Sequence, residues 1–263
     1  MNKIQLIVAL LVAAFSLFSY FGSASLNPIT GETQRVAGMT PKDDVAIGLQ
    51  SAPQMTQQMG GLSQDARARA RVSQVGAKVV AQSVAAKSGY PFKFHTLADL
   101  RTVNAFALPG GQIFITMALL LQLETEGQLA GVLGHEVGHV LARHSAEHIA
   151  KEQLTQGLTG AFAMGAGSMD AAQIGRVVGQ MAMMKYGRDD ELEADSLGLR
   201  LMSEAGYDPR GLIKVMRILE RASGGSRQPE FASSHPSPAN RVQKINEVIA
   251  QIFPNGVPVG LTP

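Results

Sequence analysis

Cysteine is absent from the 263 residues, which excludes disulfides, Cys-ligated zinc, a thiol nucleophile and a lipidated N-terminal cysteine. Any metal must therefore rest on histidine and carboxylate. Charge of either sign is not in excess: the formal net charge is +2 and only 5% of residues are aromatic. The sequence shows no Lys/Arg block with interleaved aromatics of the kind that follows a nucleic-acid backbone, so no nucleic-acid partner is expected. No segment recurs with a period of about 20 to 50 residues, which argues against an appended helical-repeat array. With 45% apolar and 17% charged residues the body has a globular composition, and its length suits one substantial domain plus a targeting segment.

That targeting segment lies at the N-terminus. Lys3 precedes an apolar run from Ile4 to Phe21, broken only by Gln5, Ser16 and Ser19 and followed by Gly22-Ser23-Ala24-Ser25. Gly22 and Ala24 suit the small-x-small pattern before a cleavage site, and the run is also just long enough to span a bilayer. Residues 1–25 are expected to be a cleaved export signal or a membrane anchor formed by residues 4–21, with the rest extracytoplasmic. Residues 26–39 carry Pro28, Gly31 and Gly38 without periodicity and are expected to be a linker. The folded domain is expected over 40–263.

Thr40-Pro41 followed by Asp43 and Asp44 marks a helix start, running towards Gly60-Gly61. A second helix is expected from Gln64 to Ser88, with Val72, Val75, Val79 and Val80 as its apolar stripe and Gly89 closing it. Phe92 to Leu97 alternates with period two, and Asn104 to Leu108, Pro109-Gly110-Gly111 and Ile113 to Thr116 read as a hairpin. One continuous helix is expected from Glu126 to Gln156, then soft helical pieces in the glycine- and methionine-rich stretch 157–185. Further helices are expected at 189–205, 209–222 and 237–252. The fold class is α+β, mainly helical, with a small mostly antiparallel sheet.

The helix from Glu126 carries His135-Glu136-Val137-Gly138-His139. Residues four apart on a helix point the same way with Cβ atoms roughly 6 Å apart, so His135 and His139 can converge on one zinc at about 2.1 Å each. Three protein ligands leave one position open, where zinc makes water more acidic and polarises a carbonyl. Glu136 then stands as general base and general acid. Gly138 leaves the helix surface low beside the site or serves helix packing. An ordinary helix with two solvent-facing histidines would carry the same letters without the chemistry.

A third ligand must come from elsewhere, because the metzincin extension requires glycine and histidine where Ala142 and Ser145 stand. On a continuous helix His144 and His148 each lie nine residues beyond a ligand and turn to the opposite face, which suits exposed or second-layer polar contacts. The remaining candidate is the acidic segment Arg188 to Asp195. Its acids could merely favour a helix N-terminus. Yet Glu191 and Asp195 are one turn apart, so Glu191 can bind zinc while Asp195 receives the free ring N–H of a ligating histidine, with Glu193 directed elsewhere.

The motif His135-Glu136-Val137-Gly138-His139 with Arg143-His144, joined to Glu191-x-Glu193-Ala194-Asp195-x-x-Gly198, resembles the HtpX-like and CAAX-prenyl-protease-like family of gluzincin metallopeptidases. In form it is closest to soluble periplasmic BepA- and LoiP-like members. The likeness spans roughly Pro41 to Ile252. It implies a zincin-type domain with one zinc per chain on His135, His139 and Glu191, Glu136 as the catalytic carboxylate and Asp195 behind the ligands. It also implies a protein or peptide substrate, endopeptidase action on misfolded or damaged extracytoplasmic proteins, and association with the membrane or with envelope proteins.

Asn104, Ala105 and Phe106 resemble the start of the family's edge strand, where an extended peptide would pair by strand addition; an ordinary hairpin is the alternative. Ser233-Ser234-His235-Pro236-Ser237-Pro238-x-x-Arg241 resembles a late element that returns to the site. There His235 would bind the metal at rest or stabilise the oxyanion, unless it merely leads into the last helix. Residues 157–185 stand where relatives place membrane helices or a lid, with a loosely packed core helix pair as the alternative. Spacing by itself establishes only a hydrolytic zinc site. A zinc-containing chaperone-like binding protein is the rival function, which the presence of Glu136 disfavours, and hydrolysis of another amide or ester would use the same residues.

Overall fold

The computed structural model describes residues 3–166, 186–223, 231, 234–235 and 240–263. Helix α1 is Lys3–Phe21, followed by strands β1 (Ala24–Leu26) and β2 (Thr33–Arg35). Helix α2 (Pro41–Gln58) starts as its sequence demands: the Thr40 side chain accepts from the Asp43 N–H, and the Asp43 side chain accepts from the Thr40 N–H. Helix α3 (Ala66–Ala81) is capped by Asp65, which accepts from the N–H groups of Arg67 and Ala68, and buries Val72, Val75 and Val79. It is shorter than its expected span because Val84–Lys87 form a separate 3-10 turn before Gly89.

Strands β3 (Lys93–Leu97), β4 (Ala105–Leu108) and β5 (Gln112–Thr116) form one sheet in the order β3-β5-β4. Strand β4 pairs with β5 antiparallel and β3 with β5 parallel, while β1 and β2 form a separate antiparallel pair. All five residues of the central strand β5 are buried, as a strand covered on both faces requires. Strand β4 is left at an edge.

Short α4 (Met117–Leu120) leads to α5 (Glu126–Ala142), and from Gly127 to Ala142 every residue of α5 is buried. Around it lie α3, α7 (Arg188–Glu204), α8 (Arg210–Ser223) and β4, with α9 (Arg241–Ile252) packed behind α7. The closest approach is between α5 and α7. A Cβ on Gly198 would stand 2.8 Å from the His135 nitrogen, and one on Gly138 would stand 2.8 Å from the Ala194 carbonyl oxygen. The two backbones nearly touch, so Gly138 serves helix packing.

The single helix expected over 126–156 is two helices. Arg143 takes a left-handed conformation (φ 60°, ψ 30°) that ends α5, and α6 (His144–Ala166) starts in a new direction. Left-handed backbone costs a non-glycine residue about 1–2 kcal/mol. Buried Asp44 offsets it by accepting from Arg143 Nε at 2.7 Å and Nη2 at 3.1 Å, while the Met39 carbonyl accepts from Nη2 at 2.8 Å.

Residues 26–39, expected as a linker, are partly folded onto the domain. The buried Asn27 donates from Nδ2 to the Leu141 carbonyl at 2.8 Å, in the last turn of α5 where carbonyls lack helical partners. Helix α1 packs along α6, with Ser16 against Gly157, but leaves Phe15 72% and Phe18 77% exposed. Among the described residues it is the one helix long and apolar enough to cross a membrane. The lid or helix pair expected within 157–185 lies largely outside the described residues, as do 236–239 ahead of α9.

Candidate metal centre

One face of α5 presents two rings. His135 and His139 are each 1% exposed, and their Nε2 atoms lie 3.0 Å apart. The close approach of α7 brings in Glu191 from its first turn, with Oε2 3.5 Å from His135 Nε2 and Oε1 3.3 Å from His139 Nε2. His235 enters from outside both helices, its Nδ1 3.3 Å from His135 Nε2 and 2.9 Å from Glu191 Oε1. Four donors arranged tetrahedrally around zinc at about 2.1 Å stand about 3.4 Å from one another. The donor set therefore fits zinc in number, type and spacing.

The buried atoms without a hydrogen bond agree with that fit. Both carboxylate oxygens of Glu136, Glu191 Oε2 and His235 Nε2 are buried with no hydrogen bond, although buried polar atoms are ordinarily satisfied. Glu136 is fully buried, with Oε1 3.6 Å from His235 Nε2. Burial pushes its carboxyl above the usual range, against the pull of the His235 and His135 rings. For Glu191 burial acts in the same direction but is outweighed by the surrounding His235, His139 and His135, which hold its carboxyl well below the usual range. For His235 burial acts to lower its pKa, but the Glu191 and Glu136 carboxylates together raise it.

The two rings of α5 are backed differently. His135 Nδ1 meets Asp195 Oδ1 at 2.9 Å. Asp195 in turn accepts from Arg241 Nε at 2.7 Å and Nη2 at 2.9 Å, and Arg241 Nη1 stands 3.2 Å from Glu191 Oε2. Burial works to raise the Asp195 carboxyl, but Arg241 and His135 hold it below the usual range. His139 Nδ1 instead meets His144 Nδ1 at 2.8 Å, and its ring is stacked on Tyr186 at 4.0 Å. Of the two roles expected for His144, exposure or a second-layer polar contact, the structure has the second, but by another route than a continuous helix: the break at Arg143 returns the ring to the site. Glu193 is directed away from the donors, as expected, and its Oε2 lies 3.2 Å from His144 Nε2. His148 pairs with Asp190 at 3.2 Å, away from the donors.

A cleft of about 260 Å³ opens beside His235 and Tyr186, between α2 and β4, and both Asn104 and Phe106 line it. The side chain of Ala105 points into the core and is fully buried. The Asn104 carbonyl accepts from the Thr116 N–H at 3.0 Å, so Asn104 turns its backbone to β5. Alternation then turns the main chain of Ala105 and Ala107 to the edge of the sheet away from β5.

Residues 66–249 of this chain match the family described as Peptidase family M48. The chain belongs to that family. Among curated proteins this M48 chain is 36% identical over 179 residues to the mitochondrial metalloendopeptidase OMA1 of Schizosaccharomyces pombe, covering 67% of this chain and 51% of that protein. It is 30% identical over 193 residues to the beta-barrel assembly-enhancing protease of Escherichia coli K12, covering 70% of this chain and 39% of that one. The chain thus spans about half or less of the length of these relatives.

Sequence reasoning assigned no role to Arg241 or Tyr186 and, by running one helix through Arg143, did not foresee that His144 meets His139. Arg241 had one signal, its position in the segment that starts at Ser233. Tyr186 had none.

Proposed function

We propose that this M48 chain is a zinc-dependent endopeptidase that hydrolyses misfolded or damaged extracytoplasmic proteins. His135, His139 and Glu191 hold one zinc, and Asp195 orients His135. Bound zinc supplies a Lewis acid that makes water more acidic and polarises the scissile carbonyl. Glu136 takes the proton of the attacking water and returns it to the leaving amine. Its fully buried carboxylate, which makes no hydrogen bond beside the convergent donors, is the observation that carries this reading. An extended substrate pairs with the outer edge of β4 through Ala105 and Ala107, with Asn104 and Phe106 contacting its side chains. The relatives' names, a metalloendopeptidase and a protease that enhances β-barrel assembly, support a protein substrate and an envelope setting.

His235 is assigned as a resting ligand, because its Nδ1 stands within the donor set and would fill the fourth position until water or substrate replaces it. This same observation favours the second reading, a zinc-containing chaperone-like protein with little proteolysis. Helix α1 is assigned as a retained membrane anchor: β1 begins at Ala24, so cleavage after that residue would trim the hairpin whose Asn27 caps α5.

The test is zinc content and casein cleavage of the purified full chain in detergent, beside Glu136→Gln. About one zinc in each, with cleavage lost only from the variant, supports the peptidase mechanism. Zinc in both with cleavage in neither supports the binding reading or a resting enzyme, which His235→Ala separates by releasing cleavage only in the latter. No zinc in the wild type removes the metal centre.

A further inference from the structure

The two rings and the carboxylate that run in line from His139 through His144 to Glu193 admit one arrangement of protons. To offer the Nε2 lone pair to a metal, His139 must carry its proton on Nδ1 and donate it to His144 Nδ1, 2.8 Å away. That nitrogen then accepts, so the His144 proton lies on Nε2 and is donated to Glu193 Oε2, 3.2 Å away. Glu193 is an acceptor only and holds the whole chain in this sense. Reversed, it would put the His139 proton on Nε2, among the metal donors.

We propose that His144 and Glu193 are positioning residues for the metal, a two-member relay that fixes the tautomer and ring orientation of His139. The inference rests on the metal-centre reading above. Its local cause is the left-handed Arg143. His144 follows His139 by five residues, about 140° away around a continuous helix, where its ring could not return to His139. The turn at Arg143 brings it back, and Asp44 on α2 holds that turn through the Arg143 guanidinium while accepting from the Tyr90 hydroxyl at 3.0 Å. Ligand orientation thus depends on a contact between α2 and the end of α5, outside the donor set.

The test is the zinc dissociation constant by chelator competition, with thermal unfolding of the metal-free protein measured beside it. His144→Leu fills the ring's space without an acceptor, and His144→Asn restores an oxygen near the position of Nδ1. The leucine variant should bind zinc about 10–100-fold more weakly, and asparagine should recover most of the loss although both variants unfold at similar temperatures. Equal zinc affinity in wild type and His144→Leu would overturn the relay, as would asparagine binding no better than leucine. Should the leucine variant fail to fold, Glu193→Ala at a side chain 29% exposed decides: weaker zinc binding supports the relay and unchanged binding overturns it. His135→Ala, which should lose zinc outright, separates the two readings. Zinc retained equally by wild type and His144→Leu but lost from His135→Ala leaves the metal centre standing without the relay.

Discussion

Two histidines on one face of one helix rest on unlike foundations. Behind His135 stand Asp195 and Arg241, both about 2% exposed, so α5, α7 and α9 are tied together by opposite charges removed from water. Behind His139 stand an imidazole, neutral in the proposed relay, and a carboxylate that is 29% exposed, both reached through a break in the helix itself. A buried ion network of the first kind is strongly destabilising when one partner is removed, because the other charge is left uncompensated. A neutral relay of the second kind contributes less to the fold and more to where the ring points. The difference teaches that a ligand can be held by the architecture or by its own neighbours, and the two should fail differently.

The largest expected effect is on the first side. Arg241→Met removes the cation shared by Asp195 and Glu191 and should destabilise the metal-free protein by about 3–5 kcal/mol in chemical denaturation. A loss below about 1 kcal/mol would place the two sides on the same footing. Glu136 belongs to neither support, so Glu136→Gln should lower kcat for peptide cleavage by about 10²–10⁴-fold with zinc content unchanged. Zinc lost from that variant would mean that Glu136 helps to hold the metal. Next comes Gly198→Ala, whose added Cβ meets the His135 backbone at 2.8 Å. Separating α7 from α5 should cost about 1–3 kcal/mol and weaken zinc binding through Glu191. Unchanged stability would show that the helices can part without harm.

The same contrast decides what could be read from the sequence. His135, Glu136 and His139 were legible because a helical period alone places them, and Glu191 with Asp195 because one turn separates them on α7. His144 was not, because its position depends on a left-handed residue that is neither glycine nor asparagine. The group that stabilises that conformation, Asp44, lies 99 residues away in the chain. Arg241 was quoted in a motif but carried no periodic signal for a partner on another helix. In the sheet, alternation located the strands, but the parallel pairing of β3 with β5 depends on contacts that no local pattern encodes. Residues 26–39 lacked periodicity because isolated contacts hold them, the Asn27 cap on Leu141 and the buried Val36, rather than a repeating apolar face.

The smallest effect sharpens the comparison most directly. Tyr186 touches His139 in one way and α6 in another: its ring is stacked on the imidazole at 4.0 Å, while its hydroxyl pairs with Ser145 Oγ at 3.0 Å. Tyr186→Phe removes only the second. Losing one neutral hydrogen bond should destabilise the fold by about 0.5–1.5 kcal/mol, readable as a small shift in thermal unfolding. If His139 is oriented by the His144 relay, zinc affinity should not change, because the stacked face and both ring nitrogens of His139 are untouched. A fall in affinity as large as that of His144→Leu would mean that the Tyr186 ring, held by its hydroxyl, orients His139. The neutral side of the centre would then be a packing support rather than a hydrogen-bonded one.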